Sequence, residues 1–353
     1  MTHWAELDFI FAAILTSYEP VDEGVMAMIE LLAIMAYILK GPVTSVIVVF
    51  GVSLNFITLY TLLKSSGRRL NARRLSDDVI MVHQKMRARP TIHTYFFWIA
   101  YTDSGLLVSA MLMYSVPAML DKSYEAYVRL YPVYYMLSNA TLTASVWLMC
   151  AMMYDRYQAL CRPLHQRMKC QRTPRRRVHV NCVIVVLLAL FYSLPRLLEL
   201  SVTSAGGSLR VVQTPLVHNR LYMIGYRIVG GLLFYSLLPY IALSFVSTRV
   251  SIAVHSASCK RRMMSKLNHQ SLRRLTSESE RILLAIMSKF LISRLFPTAL
   301  DILEHLIGPD AFLHSMAATA AVNISNLIVV ISSATNFFIY YFLSNTFRVL
   351  FCA

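Results

Sequence analysis

Residues 128–157 read VRLYPVYYMLSNATLTASVWLMCAMMYDRY. No charge falls between Arg129 and Asp155, and the run exceeds the roughly 20 apolar residues a helix needs to cross a hydrocarbon core of about 30 Å. Six more apolar runs occur at 38–63, 95–120, 179–198, 221–248, 282–307 and 313–343. A backbone in lipid must satisfy its own hydrogen bonds, so each run is expected to be a helix; the ten-residue alternation of a membrane barrel is not seen. The expected fold is an all-α membrane protein, a seven-transmembrane helix bundle. The stretch 25–39, apolar apart from Glu30, either lengthens the first span or lies at the interface.

Composition points the same way. Of 353 residues, 57% are apolar and 15% charged, and the mean hydropathy is +0.54. A soluble domain holds about 25% charged residues, which excludes an ordinary soluble enzyme. The net charge of +16 is gathered in three connections: Lys64 to Arg89, Arg162 to Arg177 and Arg249 to Arg281. All three lie on one side, and by the positive-inside rule that side is cytoplasmic. The amino terminus is then extracellular and the carboxyl terminus cytoplasmic. The run Arg175-Arg176-Arg177 would otherwise pass for a phosphate-binding patch, but between spans it reads as topogenic and lipid-facing, with no nucleic acid as partner.

The opposite side holds twelve of the eighteen acids, among them Glu199, Asp301 and Glu304. An acidic mouth attracts a cationic ligand, and acids also simply solvate outer loops; both readings stay open. Residues 1–37 carry six acids and neither Lys nor Arg, unlike a cleavable signal peptide. The chain divides into 1–37, an extracellular terminus and pre-helix segment, 38–343, the seven-span domain, and 344–353, a short cytoplasmic tail. None of the six cysteines falls in an outer loop, so neither a disulfide nor a metal site is expected. Cys352 follows Phe347-Arg348-Val349-Leu350-Phe351, a short amphipathic helix; its thiol either carries a palmitoyl chain or stays free. Neither a His-x-x-x-His pair, a phosphate-binding glycine loop nor a nucleophile elbow occurs, so no catalytic residues are expected.

Polar groups inside a bilayer are costly and mark either function or an interhelical staple. Asn55, Asp103, Ser145 and Asn336 are such groups. A lone carboxylate like Asp103 should point inward at the other three, paired with a cation or protonated. At the end of the third span, Asp155-Arg156-Tyr157 places an acid beside a base, either as a local ion pair or with Arg156 snorkelling to the interface.

In this order the motifs resemble those of class A (rhodopsin-like) G-protein-coupled receptors over essentially the full chain. Asn55 resembles the first-helix Asn and Asp103 the sodium-site Asp, while Asp155-Arg156-Tyr157 matches the Asp-Arg-Tyr motif. Pro239 and Pro297 match the kink prolines of helices five and six, and Asn336-Phe337-Phe338-Ile339-Tyr340 is similar to the seventh-helix Asn-Pro-x-x-Tyr motif with Phe337 in place of Pro. Leu194-Pro195-Arg196-Leu197-Leu198-Glu199, Tyr235 and Ile324-Ser325-Asn326-Leu327 resemble invertebrate, nematode-like FMRFamide-like neuropeptide receptors.

The resemblance implies a plasma-membrane receptor for an amidated peptide ending in Arg-Phe, coupled to a heterotrimeric G protein. It implies a switch set of Asp155, Arg156, Tyr157, Asn336, Tyr340, Pro239 and Pro297, and a polar core of Asn55, Asp103, Ser145, Ser332 and Asn336 with a sodium ion near Asp103. Glu199, Asp301 and Glu304 are the candidate acids for the peptide's Arg, with Arg294 as a further ligand-cavity residue. The alternatives are a small-molecule chemoreceptor of the same family and, in a different class, a seven-span transporter or channel.

Several departures from the family pattern carry physical weight. Tyr131 stands where the third helix would begin with a Cys, and residues 199–227 contain no Cys to pair with it. Loss of that bridge removes a staple often worth about 2–4 kcal/mol. Leu295 replaces the sixth-helix Trp, and Arg294 beside it is an intramembrane charge needing an acid, such as Asp103, or a wet cavity. Ser247 replaces the fifth-helix Tyr that meets the Asp-Arg-Tyr arginine, which leaves Tyr340 as the expected partner of Arg156. The first basic loop is unusually long, and phosphorylation is expected on Ser265, Ser271, Thr276, Ser277 or Ser279 rather than in the tail.

Overall fold

The computed structural model describes residues 31, 34–75, 90–119, 125–161, 174–205, 208–234, 236–263, 270–307 and 316–352. The acids of residues 1–30, Asp121, Asp310, Cys170, Tyr235 and the side chains proposed for phosphorylation lie outside that description.

The chain folds as a bundle of long helices: α1 (Thr44–Leu75), α2 (Pro90–Ala110), α3 (Glu125–Cys161), α4 (Pro174–Ser193), α5 (Leu237–Met263), α6 (Gln270–Ile307) and α7 (Met316–Ala334). The seventh span continues as α8 (Asn336–Leu343), followed by the tail helix α9 (Asn345–Cys352). Among the described residues six spans are long and apolar enough to cross a membrane: Ile34–Lys64, Ile92–Ser115, Glu125–Gln158, Arg176–Leu198, Tyr222–Val250 and Ala317–Leu343. The seventh of the apolar runs, 282–307, lies within α6 and carries Lys289, Arg294, Asp301 and Glu304. The first span begins at Ile34, so residues 34–37 extend it ahead of residue 38.

Burial shows which helix is the axis. In α3 67% of the apolar window is buried, against 22% in the fourth span. Leu148, Met152 and Met153 of α3 sit with Ile99 of α2, Leu243 of α5 and Ile286 and Met287 of α6 in one core. On the outside, Val46, Phe56, Phe191 and Phe245 are exposed. Apolar surface on that scale marks an interaction surface, and on long apolar helices it is the surface that meets lipid.

Two glycines allow close helix contact. A Cβ on Gly51 would lie 2.5 Å from that of Ala334, so α1 and α7 touch nearly backbone to backbone. A Cβ on Gly105 of α2 would lie 2.9 Å from Cγ2 of Thr141 on α3.

The connection after span four is not helical. The strands Leu200–Ala205 (β1) and Ser208–Gln213 (β2) pair antiparallel, with Ala205 opposite Ser208. Their apolar side packs on α3, where Leu200 and Val211 lie against the cluster of Met113, Tyr131 and Tyr135. Tyr131, at the position of the missing cysteine, thus meets the hairpin through packing.

Candidate functional site

The centre of the bundle gathers the intramembrane polar residues on one carboxylate. Asp103 is 3% exposed. Ser145 Oγ on α3 donates to its Oδ1 at 2.9 Å, and Asn336 Nδ2 on α8 donates to its Oδ2 at 2.5 Å. Asn55 stands one layer away: its Nδ2 donates to the Ser333 carbonyl at 3.2 Å, tying α1 to α7. Asn55 was expected around Asp103 and instead serves this neighbouring seam.

Lys289 on α6 belongs to the same centre, although sequence reasoning passed over it. Its ammonium donates to Asn336 Oδ1 and, at 2.5 Å, to the Ser332 carbonyl. Ser332 therefore enters the core through its backbone oxygen. That oxygen is available because the helix breaks at Thr335 (φ −99°, ψ 6°) even though Phe337 replaces the usual proline. Thr335 N reaches Ser332 O in a tight turn at 3.4 Å, and Thr335 Oγ1 donates to Ile331 O at 2.8 Å. A helix C-terminus presents partial negative charge, and an ammonium there is favourable.

Arg294 lines the same cavity as Asp103 and Lys289. Its guanidinium lies 5.4 Å from the centre of the Phe290 ring. The intramembrane cation thus has an aromatic face beside it and a polar cavity in front.

At the end of α3, Arg156 NH2 and Asp155 Oδ2 form an ion pair at 2.9 Å, with side chains 12% and 18% exposed. Tyr157 is half-buried beside them. Tyr340 is buried, its ring 4.8 Å from Phe96 and 5.9 Å from Phe347 of α9. Its hydroxyl bonds to no other described residue, so the expected contact with Arg156 is not made in this conformation. Pro297 lies inside α6. Pro239 sits in the first turn of α5, where a missing N–H costs least, rather than in mid-helix.

The acid expected to meet a ligand at Glu199 has partners within the chain instead. Glu199 is 2% exposed. Arg196 lies 3.2 Å from Oε1, Tyr222 donates to Oε1 at 2.7 Å, and Tyr135 donates to Oε2 at 3.1 Å. The Glu199 backbone carbonyl takes Thr214 N at 2.9 Å. The carboxylate thereby joins α3, the end of span four and the start of span five, while the backbone carbonyl holds Thr214 just after the hairpin. Glu199 thus ties these elements together in the region where the family's disulfide is missing. The other two acids differ. Asp301 and Glu304 are half-buried one turn apart on α6, and Ser236 Oγ donates to Asp301 Oδ2 at 2.9 Å.

Cys352 is exposed at the end of α9, whose Phe347 and Phe351 pack on Phe337.

The chain is 27% identical over 266 residues to an FMRFamide peptide receptor of Caenorhabditis elegans, covering 71% of this chain and 58% of that protein. It is 24% identical over 285 residues to an FMRFamide receptor of Drosophila melanogaster, covering 77% of this chain and 49% of that one. A probable G-protein coupled receptor of Mus musculus is 26% identical over 269 residues, 75% of this chain and 66% of that protein. The chain thus spans about half the length of the first two relatives. Residues 79–340, well over half the chain, match the family model of the seven-transmembrane receptors, and the protein belongs to that rhodopsin family.

Proposed function

We propose that the chain is a plasma-membrane peptide receptor that activates a heterotrimeric G protein, with its amino terminus outside and its basic loops in the cytoplasm. The observation that carries this reading is the Asp155–Arg156 pair at 2.9 Å, which holds a cation at the basic end of the central helix. Breaking that pair frees a charge for a protein partner. Ligand binds the active arrangement better than the resting one, and the difference in affinity shifts the population. Helices α5 and α6 move apart from α3 near Pro239 and Pro297, and Arg156 leaves Asp155.

The ligand in this reading is a short amidated peptide ending in Arg-Phe, as the names of two relatives suggest. Asp301 and Glu304 share a face of α6 and suit a guanidinium, which a carboxylate binds through two parallel hydrogen bonds. A palmitoyl chain on Cys352 would hold α9 against the bilayer. The test compares RFamide peptides with their Arg→Ala analogues on wild-type, Asp301→Asn and Glu304→Gln receptors, read as G-protein dissociation. The parent peptide is expected to lose about 10- to 100-fold in potency on the variants, the value of a charged hydrogen bond, while the analogue is equally weak on all three. An equal loss for both peptides removes the contact, and silence of the wild-type receptor toward every RFamide peptide removes the ligand class.

A further inference from the structure

We propose that Lys289 takes the place of the sodium ion that the family resemblance implies beside Asp103, so that the receptor supplies its own core cation and does not respond to Na+. The donor set does not fit a sodium ion. A hard cation needs oxygen ligands with lone pairs turned toward it. Both oxygens of Asp103 already accept hydrogen bonds, from Ser145 and Asn336. Of the other oxygens on this cavity, Asn336 Oδ1 and the Ser332 carbonyl both accept from the Lys289 ammonium, while the hydroxyls of Ser145 and Ser293 are turned to Asp103 and to the Phe290 carbonyl as donors. The cavity that remains holds about one water molecule.

Charge argues in the same direction. Among the described residues Asp103 is the one acid lining this cavity, against two cations, Lys289 and Arg294. A third cation would enter a site whose charge is already positive. Position gives the substitution a consequence. Lys289 is carried by α6, and its bonds end on α8 and on the break before it, so displacement of α6 withdraws the core cation itself. A diffusible ion would dissociate independently; here the charge leaves with the helix. This consequence rests on the receptor reading, whereas the replacement of sodium does not.

The test is the thermal stability of the full receptor, purified in detergent without ligand or G protein. Sodium chloride replaces choline chloride at constant ionic strength. The wild-type melting temperature is expected to show no shift. Lys289→Met and Lys289→Gln are expected to melt lower in choline and to rise with Na+, because binding to the folded state alone stabilises it. A Na+-dependent rise in the wild type overturns the proposal, as does its absence from both variants. If neither variant is recovered folded, the wild-type titration alone decides. No outcome depends on a peptide or G protein, so failure here leaves the proposed function standing.

Discussion

Glu199→Gln keeps the size of the side chain and removes the charge that faces Arg196. Breaking a buried ion pair from one side costs about 3–5 kcal/mol, whereas Tyr222→Phe, which deletes one hydrogen bond to the carboxylate at 2.7 Å, should cost about 1.5–3 kcal/mol. Thermal melting of purified receptor should therefore rank wild type, Tyr222→Phe and Glu199→Gln in falling order; a Glu199→Gln protein as stable as wild type would mean that the tie carries no load. The residues were legible in the sequence, but their partnership was not. Leu194-Pro195-Arg196-Leu197-Leu198-Glu199 places an acid three residues after a base, which is enough for an internal pair, and only the fold brings Tyr135 and Tyr222 to the same carboxylate. Lys289 was hidden differently. It lies in an apolar run long enough to be read as one span, and the carbonyl it caps exists because of a break that no proline announces.

Among the elements, the α1–α7 seam is the most sensitive to added volume. Gly51 faces Ala334 at a distance no real Cβ pair shows. Gly51→Val should force the helices apart at an overpacking cost of about 1–3 kcal/mol, also straining the Asn55–Ser333 bond one turn along. Gly225→Ala, where a Cβ meets nothing within 4 Å, is the matched control. Measured by thermal melting, only the first substitution should lower the transition; equal effects would show that the seam is looser than its geometry. Helix positions followed directly from hydrophobic run length, because lipid leaves the backbone few choices. The hairpin did not, although Gly206-Gly207 between two short stretches rich in Val, Ser and Thr is a recognised turn signal. Its strands lie outside the spans, where hydropathy carries no information.

At the scale of the whole molecule, charge and grease are separated by position. Apolar side chains cover the outside of the spans, and a small polar core links α2, α3, α6 and α8. That core joins α6 to the broken seventh span, and the Asp155–Arg156 pair stands at the end of α3. The family follows from motif order and is shown by the match over 79–340. The most direct measurement is G-protein dissociation in cells carrying wild-type or Arg156→Ala receptor at equal surface expression, driven by an RFamide peptide. A peptide-dependent response is expected in the wild type, with its loss in Arg156→Ala. A peptide-driven current or solute flux that persists in Arg156→Ala without any G protein would overturn the receptor reading.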